Sequence, residues 1–280
     1  MEASAVVVGV DGSVRGDMAA AWAAREAARR GLLLRVVYVS GEPEPEPEPE
    51  PEADPGRLWP PRPYCPATRI AARLTDEHPR LRAEVVVPRG AAVPSLLAHA
   101  DRADMLVVGA RGTGGSAGLP VGSVARGAVE RARCPVVLVP MAPVDSGVDR
   151  RPAKVTLGLG GGELPASAVE FAFEAAVCRG AFLHAVHACA PPDGPAGPAE
   201  WAARVEEEQR VLSCHLRPWR EKYSQVRVLE HVVLQRPAVA LPQAAQFTEL
   251  TVVGHRGAVL GPVVLSLLRH SRSPVAVVPG

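Results

Sequence analysis

The chain is poor in aromatic residues, in lysine and in net charge. Phe, Trp and Tyr together make up 4 % of its 280 residues. A core must therefore be assembled from Val, Leu and Ala, a composition that suits buried parallel strands. Lys154 and Lys222 are the only lysines, against 29 arginines, a bias that reads as codon usage in a GC-rich genome. Net charge is +1, spread evenly: residues 1–141 carry 17 arginines and 17 acids, residues 155–280 carry 11 basic and 11 acidic residues. A nucleic-acid partner has no electrostatic support in such a balance. The five cysteines, Cys65, Cys134, Cys178, Cys189 and Cys214, are odd in number and contain no C-x-x-C pair. That pattern reads as reduced intracellular thiols, not as a disulfide framework or a zinc site. The start lacks a basic leader, and no run of about 18 apolar residues occurs. The expectation is a cytoplasmic protein with no membrane partner.

What is present is apolar content of 47 % over 280 residues, enough for two domains of the usual size. Ala5–Val10 is a short apolar run closed by Asp11-Gly12-Ser13, a buried strand followed by a turn. Helical spacing then runs from about Arg15 to Arg30 and stops at Gly31. Strand Leu32–Val39, helix Ala67–His78, strand Ala83–Val87, helix Ala91–Arg102 and strand Met105–Val108 follow. A glycine-rich loop covers 109–121, a helix continues to Arg133, and strand Val136–Val139 closes the unit. Alternation of this kind predicts a parallel sheet covered on both faces.

The second half repeats the order. Val155–Leu159 matches Val6–Val10, Glu163–Arg179 is a first helix, and Ala181–His187 a second strand. Helix Trp201–Lys222 and strands Val226–Leu234 and Leu250–Val253 come next. The ending Arg269 to Pro279 aligns with Arg131 to Pro140. Loop insertions account for the drift between the copies. The expected organisation is a first domain over 1–141, a linker over 142–153 and a second domain over 154–280. Glu42-Pro43 begins an alternating repeat that runs through Pro51. Alternating proline forms neither helix nor inner strand, so this stretch reads as an extended, solvated insertion between the second strand and the next helix.

In an open parallel sheet, ligands bind beyond the carboxyl ends of strands where strand order reverses. Two such ends in the first half are glycine-rich. One is Gly9-Val10-Asp11-Gly12-Ser13. The other is Gly109-Ala110-Arg111-Gly112, then Thr113, Gly114, Gly115 and the rest of a nine-residue spacer, then Gly122-Ser123-Val124. Glycines let backbone N–H groups approach a ligand closely. A helix opening at Gly122 offers unpaired N–H groups and the positive dipole end to phosphate, and Ser123 adds a hydroxyl. Asp11 suits a ribose hydroxyl or a bound Mg²⁺. Taken alone, Gly9–Ser13 is equally a tight turn and a helix cap, with Ser13 a fair N-cap.

These motifs, with the ending Ala132-Arg133-Cys134-Pro135-Val136-Val137-Leu138-Val139-Pro140, resemble the universal stress protein family in its tandem form. The resemblance implies two tandem Rossmann-like domains that bind adenine nucleotide, each a five-stranded parallel sheet with helices on both faces. It implies ATP and Mg²⁺ as cofactors, with Gly9 among the nucleotide-binding residues, Asp11 at the ribose side and as the metal ligand, and Val39 at the adenine edge. Gly109, Ala110, Arg111, Gly112, Thr113, Gly114, Gly115, Gly122, Ser123 and Val124 fall to the phosphates. It also implies that the fifth strands of the two domains pair, and a homodimer beyond that stays open. A Walker A loop is absent because neither lysine follows a glycine, and a dinucleotide fingerprint fails because Pro120 stands where a helix should begin.

The second copy has Gly160 where the first has Asp11, Gly261-Pro262 where the first has Gly122-Ser123, and three residues after Gly257 in place of nine. ATP is therefore expected in the first domain only, in a stress-response regulatory protein. A slow ATPase or nucleotidyl-transfer enzyme and a nucleotide-free interaction scaffold stay as alternatives. His99 and Asp101 are general-base candidates by elimination. His184 and His187 fall on opposite faces of a period-2 strand, which argues against a metal site between them.

Overall fold

The computed structural model describes residues 4–41, 65–112, 121–141, 152–160, 165–190, 197–256 and 259–280. The Glu-Pro repeat, Thr113, Gly114, Gly115 and most of the linker lie outside these residues.

Strand β1 (Ala5–Val10) leads into α1 (Val14–Arg30). Ser13 caps this helix: its Oγ accepts the Gly16 N–H at 3.1 Å. Gly31 ends it in the left-handed region at φ 67°, where a Cβ is penalised. Then come β2 (Leu33–Tyr38), α2 (Pro66–Glu77), β3 (Ala83–Val86), α3 (Ala92–Ala100), β4 (Met105–Gly109), α4 (Ser123–Arg131) and β5 (Val136–Val139). The second half runs β6 (Lys154–Leu159), α5 (Ala166–Arg179), β7 (Phe182–Cys189), α6 (Pro198–Lys222), β8 (Val228–Leu234), α7 (Pro237–Ala244), β9 (Leu250–His255), α8 (Pro262–His270) and β10 (Val275–Pro279). Gly180 ends α5 as Gly31 ends α1, again left-handed at φ 58°.

All strands among the described residues join one ten-stranded sheet ordered β3-β2-β1-β4-β5-β10-β9-β6-β7-β8. Each half is parallel within itself. The seam between β5 and β10 is antiparallel, with Ala276 opposite Val137, Val275 opposite Leu138 and Val277 opposite Val136. That symmetric register is a local two-fold, and it covers the apolar edge each half would otherwise expose. Two layers pack on the sheet. Alternate residues Val6, Val8, Val155, Leu157 and Leu183 face α1, α2, α5 and α6, while Val7, Leu106, Val186 and Val253 face α3, α4, α7 and α8.

The two-fold recurs where α1 meets α5. Arg30 lies over Phe171 of the other half at 5.3 Å, and Arg179 lies over Trp22 at 5.9 Å. Each half thus offers the other the same cation–aromatic pair, as in an isologous dimer interface. Glu26 breaks the symmetry. Its carboxylate accepts from both arginines, from Arg30 Nε at 2.7 Å and Arg179 Nη2 at 2.5 Å, and its counterpart on α5 is Ala175.

The sequence reading omits α7. Pro237 sits at its first turn and Pro242 inside it, and an internal proline argues against helix. Tertiary contact supplies the remedy. Pro242 has no N–H for the Ala238 carbonyl four residues back, and the Ser266 hydroxyl of α8 donates to that carbonyl instead, at 2.5 Å. Helix α5 begins at Ala166 after its N-cap Pro165; the expected start at Glu163 lies outside the described residues.

Candidate functional site

Strand order in the first half reverses between β1 and β4, so their carboxyl ends define the crevice. Asp11 follows β1, and its carboxylate Oδ1 accepts from the Ser13 N–H at 3.0 Å and the Ser13 hydroxyl at 2.5 Å. Oδ2 lies against Gly112: a Cβ there would stand 2.8 Å from it. Gly112 in turn lies against Gly122, whose own Cβ would stand 3.4 Å from the Gly112 nitrogen and the Arg111 Cα. Asp11, Gly112 and the start of α4 therefore converge although they are distant in sequence, and a side chain at Gly112 would have to push the Asp11 carboxylate aside.

The N–H groups do not all point to the crevice. Ala110 N–H donates to the Val139 carbonyl at 2.9 Å, and Gly122 N–H donates to the Ala110 carbonyl at 2.8 Å. Both are consumed in holding the loop. The N-cap Gly122 of α4 supplies no side-chain hydrogen bond, so among the described residues no capping side chain occupies the first-turn amides of Ser123 and Val124, and the Ser123 hydroxyl is exposed. Gly9 has a packing reason of its own, since a Cβ would come 2.9 Å from Leu96 of α3. Val39 follows β2, whose Tyr38 pairs with Val10, so it stands next to Asp11 across the strand pair. Thr113, Gly114 and Gly115 lie outside the described residues.

Arg15 was not foreseen from the sequence. Its Nη1 donates to the Gly112 carbonyl at 3.3 Å, and its Nε lies 3.2 Å from the Met141 sulfur. It sits one turn beyond Asp11 and brings a cation to a crevice otherwise held by a carboxylate. His99 and Asp101 are elsewhere. Asp101 is 3.7 Å from Arg133, just before β5, at the amino end of the strands, so neither faces the crevice.

The corresponding crevice of the second half is built differently. Gly160 stands at the Asp11 position with nothing within 4 Å of a Cβ, α8 starts on Pro262 after the N-cap Gly261, and Pro165 packs directly on Gly254 of β9. His184 stacks on His231 at 5.6 Å on one face of β7. His187 Nε2 lies 3.0 Å from Glu208 Oε2 on the other. The two histidines do part to opposite faces. Among the described residues, no helix is long and apolar enough to cross a membrane.

A duplicated, doubly wound α/β protein with a crevice at its first switch point is the class these features define. The universal stress protein family model matches residues 3–140 and again 153–279. A universal stress protein of Mycobacterium tuberculosis strain H37Rv is 33 % identical over 297 residues, covering 97 % of this chain and 96 % of that one. A second from the same organism is 32 % identical over 286 residues, covering 97 % and 95 %. The crystal structure of a universal stress protein from Archaeoglobus fulgidus DSM 4304 superimposes with a TM-score of 0.64 at 17 % identity, over 98 % of this chain and 96 % of that one. The chain belongs to the universal stress protein family, in its tandem two-domain form.

Proposed function

We propose that the first half, residues 1–141, binds ATP with Mg²⁺ at the β1–β4 crevice, and that the protein is a cytoplasmic regulatory binding module, not a catalyst. The observation that carries this reading is the convergence of Asp11, Gly112 and the uncapped start of α4. Phosphate fits there because the Ser123 and Val124 amides and the helix dipole favour an anion, and Arg15 adds positive charge. Asp11 would hold the ribose or the Mg²⁺, an ion that takes one or two protein carboxylates and completes its shell with phosphate and water. Arg111, Gly112 and the spacer residues Thr113, Gly114 and Gly115 would contribute the remaining backbone donors, with Gly109 and Ala110 shaping the turn and Gly9 and Val39 bounding the nucleoside end.

The second half lacks the carboxylate, the first helical N–H and the hydroxyl at the matching places, so one nucleotide per chain is expected. Isothermal titration of ATP–Mg²⁺ and of NAD⁺ tests both points. The expected result is one ATP site, tighter than any NAD⁺ site, abolished by Asp11→Ala and by Gly112→Ala or Gly122→Val. Two equivalent sites, or NAD⁺ binding tighter than ATP, would overturn it. The enzyme alternative predicts steady phosphate release that Asp11→Ala removes. The scaffold alternative predicts no thermal shift with ATP.

A further inference from the structure

His187 and Cys189 are two residues apart on β7, so both side chains leave the same face of the sheet. That face is covered by α6, which brings Glu208 to them. The His187 ring nitrogen, the Cys189 sulfur and a Glu208 carboxylate oxygen all lie within 4.8 Å of one another. The histidine and the cysteine are buried, and the Glu208 side chain is 15 % exposed. Among the described residues this is the one cluster of three such groups.

We propose that this cluster is a zinc site of the second half, with His187, Cys189 and Glu208 as its protein ligands and water in the fourth position. A nitrogen, a thiolate and a carboxylate are the donors zinc takes, and three protein ligands with one open position form its usual non-structural arrangement. The thiolate disfavours magnesium and calcium, which take oxygen. The fit is close to what a tetrahedral ion needs. Bond lengths of about 2.0–2.3 Å place neighbouring donors about 3.3–3.7 Å apart, between the 3.0 Å of the His187–Glu208 pair and the 4.8 Å limit of the cluster. Side-chain rotation that moves the donors by about an ångström or less closes the difference. Glu208 is also held in a suitable orientation. Its other oxygen, Oε1, lies 2.5 Å from Arg204 Nη2 one turn earlier on α6, which directs Oε2 toward His187. Arg204 is thus a positioning residue of the kind metal carboxylates have.

The register of the duplication shows that the site belongs to one copy. β6 pairs β7 with Leu159 opposite His187, as β1 pairs β2 with Val10 opposite Tyr38. The first-half counterparts of His187 and Cys189 are therefore Tyr38 and Ser40, which do not form such a ligand set. The second half would then be a metal-binding copy, independent of any nucleotide in the first.

Cobalt(II) is the spectroscopic probe, because it occupies zinc sites and reports its ligands. Untagged full-length protein, stripped with chelator, is titrated with Co²⁺ alone. The expected result is one Co²⁺ per chain, visible bands of a four-coordinate ion, and a thiolate-to-cobalt charge-transfer band in the near ultraviolet that equimolar Zn²⁺ removes. Cys189→Ser should erase the charge-transfer band, His187→Gln should weaken binding at least tenfold, and Arg204→Met about tenfold. Cys214→Ser, at an exposed cysteine of α6 that is not part of the cluster, should change nothing. The wild-type titration decides the matter even if a variant fails to fold. No Co²⁺ uptake, uptake without a thiolate band, or a band that survives in folded Cys189→Ser would overturn the proposal and leave His187–Glu208 as a plain hydrogen bond.

Discussion

Glu26 holds the two halves together electrostatically, and its removal should be costly. Its side chain and that of Arg179 are each 1 % exposed, and the carboxylate also accepts from Arg30. Burial would push the Glu26 carboxyl up, but Arg179 and Arg30 more than reverse this and hold it below the usual carboxylate range. Burial draws the Arg179 guanidinium down from its ordinary value, and Glu26 offsets part of that. Both groups are charged at neutral pH. Glu26→Gln keeps the shape and removes the charge, leaving the buried Arg179 guanidinium with only the more exposed Glu249 carboxylate, 3.7 Å from its Nε. Breaking such a pair costs about 3–5 kcal/mol. Retained hydrogen bonding places Gln at the lower end, about 3 kcal/mol. At roughly 2–4 °C per kcal/mol for a chain of this size, the midpoint falls by about 6–12 °C. The sign with pH follows from the depressed folded value. The Glu26 contribution is present above the unfolded carboxyl value of about 4.3 and is lost as pH falls through the folded one. Thermal unfolding of Glu26→Gln, of Arg179→Met and of the double variant forms the assay. The double variant should lose clearly less than the two singles combined, because it removes both members of the most deeply buried pair and leaves only Arg30, 10 % exposed, without the carboxylate. A single-variant loss under about 1 kcal/mol, or strict additivity, would refute the reasoning.

His184 should give the protein an acid-sensitive slope. Burial, then Lys154, then His231 lower its pKa to about 4, so the unfolded chain binds its proton first. Stability is full above about pH 6.5 and declines as pH falls toward 4, by about 3 kcal/mol in all. Denaturant titrations at a series of pH values should show that slope flattened in His184→Leu, and an unchanged slope would count against it. Deleting residues 43–52 should leave melting temperature and ATP affinity intact, because loop closure changes by only about 0.6 kcal/mol per doubling of length. A large drop in melting temperature on deletion would show that the insertion packs.

The sequence alone determined the alternation of strand and helix, the duplication and the family. Each rests on local patterning: apolar runs such as Val6–Val8, glycine stops at Gly31 and Gly180, and the paired endings Cys134-Pro135 and Ser273-Pro274. Asp11, the 109–112 turn and Gly122 could be singled out from spacing because a backbone that must turn tightly needs glycine at set offsets. Only the tertiary structure decided the rest. α7 was hidden because the carbonyl that Pro242 orphans is satisfied by Ser266 from another helix, a partner no local window contains. Spacing offers the amides of Ala110 and Gly122 as phosphate donors, but the Val139 and Ala110 carbonyls accept from them, a pairing that depends on the fold of the loop. Arg15 entered the crevice because α1 starts beside Gly112. Glu26 reaches Arg179 across 153 residues, and Glu208 reaches His187 from a different element. Side-chain chemistry between elements depends on which faces of the sheet the helices cover, and that choice is made by packing of the whole core.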